Sequence, residues 1–239
     1  MGAGPSPPTF SMTRNEEAER LTNAWGRYRE WLRAHHPSFF LQLRPPASDS
    51  SLHALAEAMG RPLPEEVVAQ WLLNDGQQGE HPGLLAGFQF LPVETALSEW
   101  RVWAELRATH QPRQLKALGA LASSLPGGAI RRAYTCEGWL PLWKEPLEGN
   151  YLGVDLSPGE RGTSGQVINF GRDEDDKAVL APSLTEVVEW LAAEAEAGRI
   201  VLREYKDRRG ESAPYLMHAG GRVLTVLLKE ARQRLAPSR

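Results

Sequence analysis

The strongest constraint on the fold is a change in the spacing of apolar residues near Ala129. Before this point apolar residues recur every three or four positions, as in Leu21, Trp25 and Tyr28, which is the period of an amphipathic helix. After it, short apolar segments alternate with Gly-rich or Pro-rich turns, which is typical of strands. Helices followed by strands and then another helix predict an α+β fold, with a mixed, mainly antiparallel sheet flanked by helices.

The predicted elements divide the sequence into three parts. Residues 1–12 are rich in Gly, Pro and Ser and are expected to be a disordered tail, residues 13–198 form the domain, and residues 199–239 add a charged turn and a final amphipathic helix. The apolar residues within 110–128 follow neither a helical nor a strand period. Helices are predicted to begin near Thr13, Ser50, Pro64, Val93, Ser183 and Arg222, and strands at 88–91, 130–134, 139–143, 151–156, 166–170 and 177–181.

Composition favours an ordinary globular protein and argues against two classes of partner. Hydrophobic residues make up 41% and charged residues 24%. A net charge of −3 does not favour nucleic acid or an anionic membrane, and no apolar segment reaches the length of a membrane span. The single cysteine, Cys136, cannot form an internal disulfide, and there is no signal-like segment near Met1. We therefore expect a cytoplasmic protein.

The sequence contains none of the common catalytic motifs. There is no phosphate-binding loop, no HExxH zinc helix and no Gly-x-Ser-x-Gly elbow, and the histidines lack metal-ligand spacing. Cys136 is more readily explained as a small buried hydrophobic residue than as a nucleophile. These observations predict no catalytic residue, no metal site and no cofactor.

The acidic segment 173–176 allows two interpretations. Clustered carboxylates suit a hard cation, but Lys177 follows directly, and the segment does not match a calcium-binding loop. Arg172 and Lys177 also neutralise part of the charge. A solvated hairpin turn between two strands is therefore favoured over a metal site.

Trp139 and Trp143 also allow two interpretations. Strand alternation would place both rings on the same face, with Pro141 between them. Stacked core aromatics are the simpler explanation. A partly exposed aromatic groove is the alternative, because Trp is enriched at binding hot spots and Pro141 suits an edge strand.

The order of several motifs resembles a known family. "GRPLPEE" at 60–66 is similar to a helix-start signature of that family, and "NDGQ" at 74–77 is similar to the loop that follows it. "GLLAGFQFLPVETALSEW" at 83–100 resembles the next strand and helix, and "PGGAI" at 126–130 fits as well. The densest match is at 138–191, beginning "GWLPLWKEPLEGNYLGVDL". Over residues 23–198 the chain resembles the cell-wall assembly regulator branch of the SUKH superfamily.

The resemblance implies a single α+β domain that binds proteins and does not catalyse a reaction. Bacterial members are similar to immunity proteins that bind toxins, and fungal members act in cell-wall signalling. We expect a non-catalytic binding module that neutralises a bacterial toxin. The alternative is a scaffold or regulator of cell-wall assembly. A further alternative is an enzyme with a carboxylate site near Asp155, Asp173 and Asp175.

The expected partner contacts lie on three features of the chain. An aromatic patch would supply affinity, and exposed carboxylates would steer a basic protein partner such as a nuclease toxin. Asp155, which enters a Gly-rich turn, is either a structural residue that caps backbone N–H groups or part of the contact. The predicted contact residues are Asp75, Gly76, Trp139, Trp143, Arg172, Asp173, Glu174 and Asp175.

Overall fold

The computed structural model describes residues 14–79, 83–146, 149–206 and 212–235. The predicted tail at 1–12 and the first capping residue, Thr13, lie outside these ranges. The first half of the chain is mainly helical. Its elements are α1 (Arg14–His35), α2 (Pro37–Phe40), α3 (Asp49–Met59), α4 (Glu65–Leu73), β1 (Gln89–Phe90), α5 (Val93–Thr109), α6 (Pro112–Leu118) and β2 (Ser123–Leu125).

The second half supplies most of the sheet. Its elements are β3 (Trp139–Lys144), β4 (Asn150–Asp155), β5 (Gln166–Gly171), β6 (Asp176–Ala181), α7 (Leu184–Glu196), β7 (Ile200–Lys206), β8 (Ser212–His218) and α8 (Val223–Leu235). The main sheet has the order β1-β3-β4-β5-β6-β2. All its pairs are antiparallel except the parallel pair β2 and β6. The predicted α+β class with a mixed, mainly antiparallel sheet is confirmed.

The apolar stripe predicted on the first helix is buried. Leu21, Trp25, Tyr28 and Leu32 are all almost fully buried in the core. The hydroxyl of Tyr28 donates to the carbonyl of Leu84, so burial of this phenol leaves no unpaired donor. This stripe fixes α1 on the folded domain.

Local capping signals explain several helix ends. Ser183 Oγ accepts from the Glu186 N–H at 3.3 Å, and Gly60 ends α3 with a φ of 64°, so both predicted caps are confirmed. The predicted cap at Ser50 is wrong. Ser48 caps α3 instead, because its Oγ accepts from the Ser51 N–H at 3.1 Å.

Residues 130–134, predicted as a strand, form none. They belong to a loop that runs beside β2, where the Ile130 N–H donates to Ser124 Oγ at 2.9 Å and Arg132 Nε donates to the Ala122 carbonyl at 2.8 Å. Donors of this segment therefore bond to a side-chain hydroxyl and a loop carbonyl, and not to the backbone of a neighbouring strand. The apolar character of this segment reflects burial of Ala129 and Ile130, not strand pairing.

The segment after Arg199 contains more structure than the predicted charged turn. β7 and β8 form a separate antiparallel pair, and α8 follows them close to the predicted position. Val223, Leu224 and Leu227 of α8 are buried in the common core. Within the described ranges, no helix combines the length and the apolar character that crossing a membrane requires.

Candidate protein-binding surface

The turn between β5 and β6 carries the exposed charges predicted for partner contact. Arg172, Asp173 and Asp175 are exposed, whereas Glu174 is half-buried. Arg172 and Asp173 form an exposed ion pair with an N–O distance of 3.1 Å. We call residues 171–176 the acidic hairpin. The structure places this predicted set together at one end of the sheet, in the turn that joins β5 to β6.

The side-chain amides of two buried asparagines in the sheet support the acidic hairpin. Asn169 is fully buried, and its Nδ2 donates to Glu174 Oε2 at 2.7 Å and to the Asp176 carbonyl at 2.9 Å. Asn150 Oδ1 accepts from the Asp173 N–H at 3.1 Å. The turn is therefore preorganised, so little conformational entropy would be lost when a partner binds it.

Two titratable groups under the hairpin are shifted by burial. Burial raises the pKa of the Glu174 carboxyl, and the Asn169 hydrogen bond opposes that shift. Burial also lowers the pKa of the Lys177 ammonium, and nearby hairpin carboxylates oppose that shift. Lys177 Nζ donates to the Glu174 carbonyl at 2.6 Å and lies 5.5 Å from the centre of the Trp139 ring. Lys177 thus supports the turn from inside and is not a surface contact.

Trp139 and Trp143 do not form an exposed groove. Both are about 2% exposed. A β-bulge between Pro141 and Trp143 also breaks the predicted alternation, because Trp139 pairs with Asp155 while Trp143 pairs with Leu152. Those two partners are three positions apart in β4 and so point to opposite faces of the sheet. The prediction of a shared, partly exposed aromatic face is wrong.

The loop at Asp75 and Gly76 is also buried. Asp75 Oδ1 accepts from the Val93 N–H at 2.8 Å at the start of α5, and its Oδ2 lies 3.3 Å from Arg44 Nη2. Gly76 packs so closely that a Cβ there would lie 2.3 Å from Pro92 N. The prediction that these two residues contact a partner is wrong, because they join the loop to α5 and leave little surface exposed.

Asp155 has a structural role. It is fully buried, its Oδ1 accepts from the Ser157 N–H at 2.9 Å, and its Oδ2 accepts from Gln166 Nε2 at 3.0 Å. Burial raises the pKa of this carboxyl, while the hydrogen bonds oppose the shift. The structure therefore supports the backbone-capping interpretation and leaves no carboxylate surface for a partner.

The three carboxylates suggested for an enzyme site do not converge. Asp155 pairs with Gln166 at one end of the β4–β5 ladder, whereas Asn150 pairs with Gly171 at the end that carries the acidic hairpin. The length of β4 separates the two ends by roughly 17 Å. Within the described ranges no group of three His, Cys, Asp or Glu side chains is arranged to hold a metal ion. A single site built from Asp155, Asp173 and Asp175 is ruled out by this topology.

A cavity that the sequence analysis did not identify lies between α6 and residues 132–135. Its volume is about 550 Å³, and Leu115, Lys116, Arg132 and Tyr134 are among the residues that line it. We call it the α6 cavity. It falls in the region without clear periodicity, where the helix is only one and a half to two turns long. The charge pattern of the sequence could have drawn attention to this region, because residues 106–136 contain five Arg or Lys residues and no Asp or Glu.

Comparison with known proteins identifies fungal relatives. The chain is 30% identical over 191 residues to the cell wall biosynthesis/cell cycle regulator smi1 of Schizosaccharomyces pombe, covering 77% of this chain and 38% of that protein. It is 28% identical over 229 residues to the glucan synthesis regulatory protein of Neurospora crassa, covering 80% and 43%. It is 26% identical over 222 residues to the cell wall assembly regulator SMI1 of Saccharomyces cerevisiae, covering 81% and 44%.

The chain spans less than half the length of each of these three relatives. The matched family model covers residues 46–190, which is more than half of the chain and includes α3 to α6, the first half of α7 and the complete main sheet. The predicted resemblance to the SUKH superfamily is thereby confirmed. The chain belongs to the SMI1 / KNR4 family (SUKH-1).

Proposed function

We propose that this chain is a non-catalytic regulatory module that binds a partner protein in the control of cell-wall or glucan assembly. The names of the fungal relatives support a regulatory role more directly than the toxin-immunity role predicted first. A cytoplasmic location also belongs to this proposal and rests on the single cysteine, which cannot form an internal disulfide.

The observation that carries the proposal is the acidic hairpin, which is exposed and yet rigidly supported. Its side chains at 172, 173 and 175 are exposed, while Asn169 and Asn150 hold its backbone from inside the sheet. Exposed carboxylates on a fixed turn suit the recognition of a basic protein surface, where they contribute specificity and association rate. A carboxylate site for catalysis gains no comparable support, since Asp155 lies at the other end of the ladder.

The test is capture of partners by the tagged protein from the cells that produce it, with the wild type compared with Asp173→Lys/Asp175→Lys. We expect a specific partner to be lost from this variant. The matched control is Glu57→Lys/Glu160→Lys, which changes the charge equally at two exposed positions elsewhere. Equal capture by both variants would reject the hairpin as the contact.

Complementation of a deletion strain tests the regulatory role. Loss of the protein is expected to change sensitivity to cell-wall stress with no toxin present. The wild type and the Glu57→Lys/Glu160→Lys control should restore normal sensitivity, whereas Asp173→Lys/Asp175→Lys should not. A strain that is affected only when a toxin is present would instead support the immunity role.

A further inference from the structure

We propose that the α6 cavity binds an acidic linear segment of a partner protein, with one bulky apolar side chain of that segment inside the cavity. This inference rests on the proposed protein-binding function and adds the chemistry of one partner segment. It concerns a different surface from the acidic hairpin, so the two can be tested separately.

The shape of the α6 cavity suits an apolar side chain. A volume of about 550 Å³ lies in the usual range for ligand pockets, and Leu115 and Tyr134 contribute half-buried apolar surface to its lining. Leu118 and Leu121, which follow in the chain, are 44% and 78% exposed. Leu118 and Leu121 flank the lining residues Gly119 and Ala120 in sequence, so this segment adds exposed apolar side chains next to lining residues.

The walls of the cavity are fixed by close packing. A Cβ on Gly119 would lie 2.7 Å from Tyr134 N, so only glycine lets the end of α6 approach the loop this closely. The Tyr134 ring packs edge-on against Trp103 of α5, with the ring centres 5.6 Å apart. The cavity is therefore preformed, which reduces the entropy lost on binding.

The charges around the cavity are positive and lack carboxylate partners. Lys116 and Arg132 line it, and Arg113 is one turn before Lys116. In the described part of the chain no carboxylate forms an ion pair with these three residues. By contrast, the cations on α1 that face α7, Arg20 and Arg27, each pair with a glutamate.

The orientation of the basic side chains favours an external anion. Arg132 is an exposed residue, and its Nε donates to the Ala122 carbonyl at 2.8 Å, which holds the side chain at the cavity. Arg107 is half-buried, donates to Thr135 Oγ1 at 2.8 Å and lies 5.6 Å from the centre of the Trp100 ring. A cluster of cations around an apolar cavity is complementary to carboxylates that flank an apolar anchor.

The surroundings favour a short acidic peptide over a long polyanion. The chain as a whole is acidic, with a net charge of −3, and an extended nucleic acid or an anionic membrane would meet more of that acidic surface than a short peptide does. The first fifteen residues of this sequence contain no Asp or Glu, so that segment does not have the charge this surface requires.

The test is an NMR titration of the isotope-labelled full chain with a short synthetic peptide of Glu and Asp around a central Phe-Leu pair. We expect saturable amide shifts centred on Gly119, Ala133 and Thr135. Replacing Phe-Leu by Ala-Ala, or every acid by Lys, should weaken binding at least about tenfold. Binding should also weaken as salt is added, because the cations are exposed.

Protein variants locate the site. Lys116→Glu/Arg132→Glu should bind the acidic peptide at least about tenfold more weakly, whereas Arg203→Glu/Lys229→Glu, an equal charge change at exposed positions elsewhere, should bind like the wild type. Arg113→Glu/Lys116→Glu is a second variant that leaves the Arg132 hydrogen bond to Ala122 intact, in case the first variant folds poorly.

Several outcomes would overturn the inference. These are the absence of saturable binding, shifts centred away from α6, or equal binding by the cavity variants. Equal shifts with a single-stranded oligonucleotide or anionic lipid vesicles would assign the surface to a polyanion. Concentration-dependent shifts at the same amides without peptide would assign it to a second copy of this chain. In each case, partner capture that depends on Asp173 and Asp175 would leave the proposed function standing.

Discussion

The carboxylate of Glu66 accepts two hydrogen bonds from Thr185, one from the backbone N–H at 3.0 Å and one from the hydroxyl at 3.1 Å. Glu66 is near the start of α4, and Thr185 is the second residue of α7, so the contact joins helices 119 positions apart in sequence. It places a negative charge at the positive end of the α7 dipole. The glutamate that ends "GRPLPEE" therefore has a structural explanation.

We expect Glu66→Ala to lower the free energy of unfolding by about 1–3 kcal/mol, because it removes the side-chain acceptor of the buried Thr185 N–H and leaves the Thr185 hydroxyl only the Glu17 carbonyl at 3.4 Å. Chemical denaturation measures this change. The matched control is Glu57→Ala, at an exposed position in α3, which should change stability by less than about 0.5 kcal/mol. Equal losses from the two variants would show that the contact with Thr185 contributes little.

Glu66 should also make stability depend on pH in a specific direction. Burial raises the pKa of its carboxyl above the ordinary value, although the Thr185 and Leu184 donors oppose that shift. The folded chain therefore binds this proton more readily than the unfolded chain does. Ionisation of Glu66 therefore lowers the free energy of unfolding at pH values above its folded pKa. This loss disappears as pH falls towards the unfolded pKa of about 4.3.

The measurement is urea denaturation of the wild type and Glu66→Gln at several pH values between neutrality and about 4.3. The difference in unfolding free energy, wild type minus variant, should move in favour of the wild type as pH falls. Subtracting the variant removes the contribution of the other carboxyls, which titrate in both proteins. A difference that stays constant, or moves the other way, would contradict the raised pKa.

The two buried tryptophans give a second prediction about stability. Trp139 packs against Phe170 with ring centres 5.5 Å apart, and Trp143 packs against Phe90 at 6.3 Å. Replacing either with Ala should cost about 3–5 kcal/mol through lost burial and an internal cavity. Val102→Ala, at a side chain that is 59% exposed, is the control and should cost less than about 0.5 kcal/mol.

Denaturation midpoints would show whether the tryptophans are core residues. A loss below about 1 kcal/mol from either substitution would mean that its ring is not packed as described. The same result decides how partner binding can be probed. If the tryptophans are core residues, loss of a partner from a double Ala variant would reflect unfolding, so charge changes on the acidic hairpin are the better probe.

Sequence reasoning was most successful where one local signal determines the structure. The helical stripe of Leu21 and Trp25 and the cap at Ser183 follow from spacing and side-chain chemistry alone, and both are confirmed. Sequence reasoning failed where tertiary contacts determine the local structure. The β-bulge after Pro141 depends on pairing with β4, and a one-residue shift reverses every later side chain in the strand.

The candidate sites were harder to predict than the fold, because exposure depends on what packs over each residue. The carboxylate of Asp75 looks like a surface charge in the sequence, but the start of α5 and Arg44 cover it. The α6 cavity depends on the close approach of a short helix and a loop that are distant in sequence, where Gly119 packs against Ala133 and Tyr134. No local period in the sequence encodes that approach.

Gly76 and Gly198 show two different reasons why a position requires glycine, a left-handed backbone and a close approach of other atoms. Their φ angles are 69° and 70°, a left-handed conformation in which any Cβ costs about 1 kcal/mol. At Gly198 a Cβ would meet no atom within 4 Å, whereas at Gly76 it would lie 2.3 Å from Pro92 N and 2.5 Å from Leu91 C. Chemical denaturation should therefore show a loss of about 1 kcal/mol for Gly198→Ala and at least about 3 kcal/mol for Gly76→Ala, because the backbone at Pro92 must move. Equal losses would mean that the loop relaxes without disturbing α5, and the close approach of "NDGQ" to the start of that helix would then not explain the glycine.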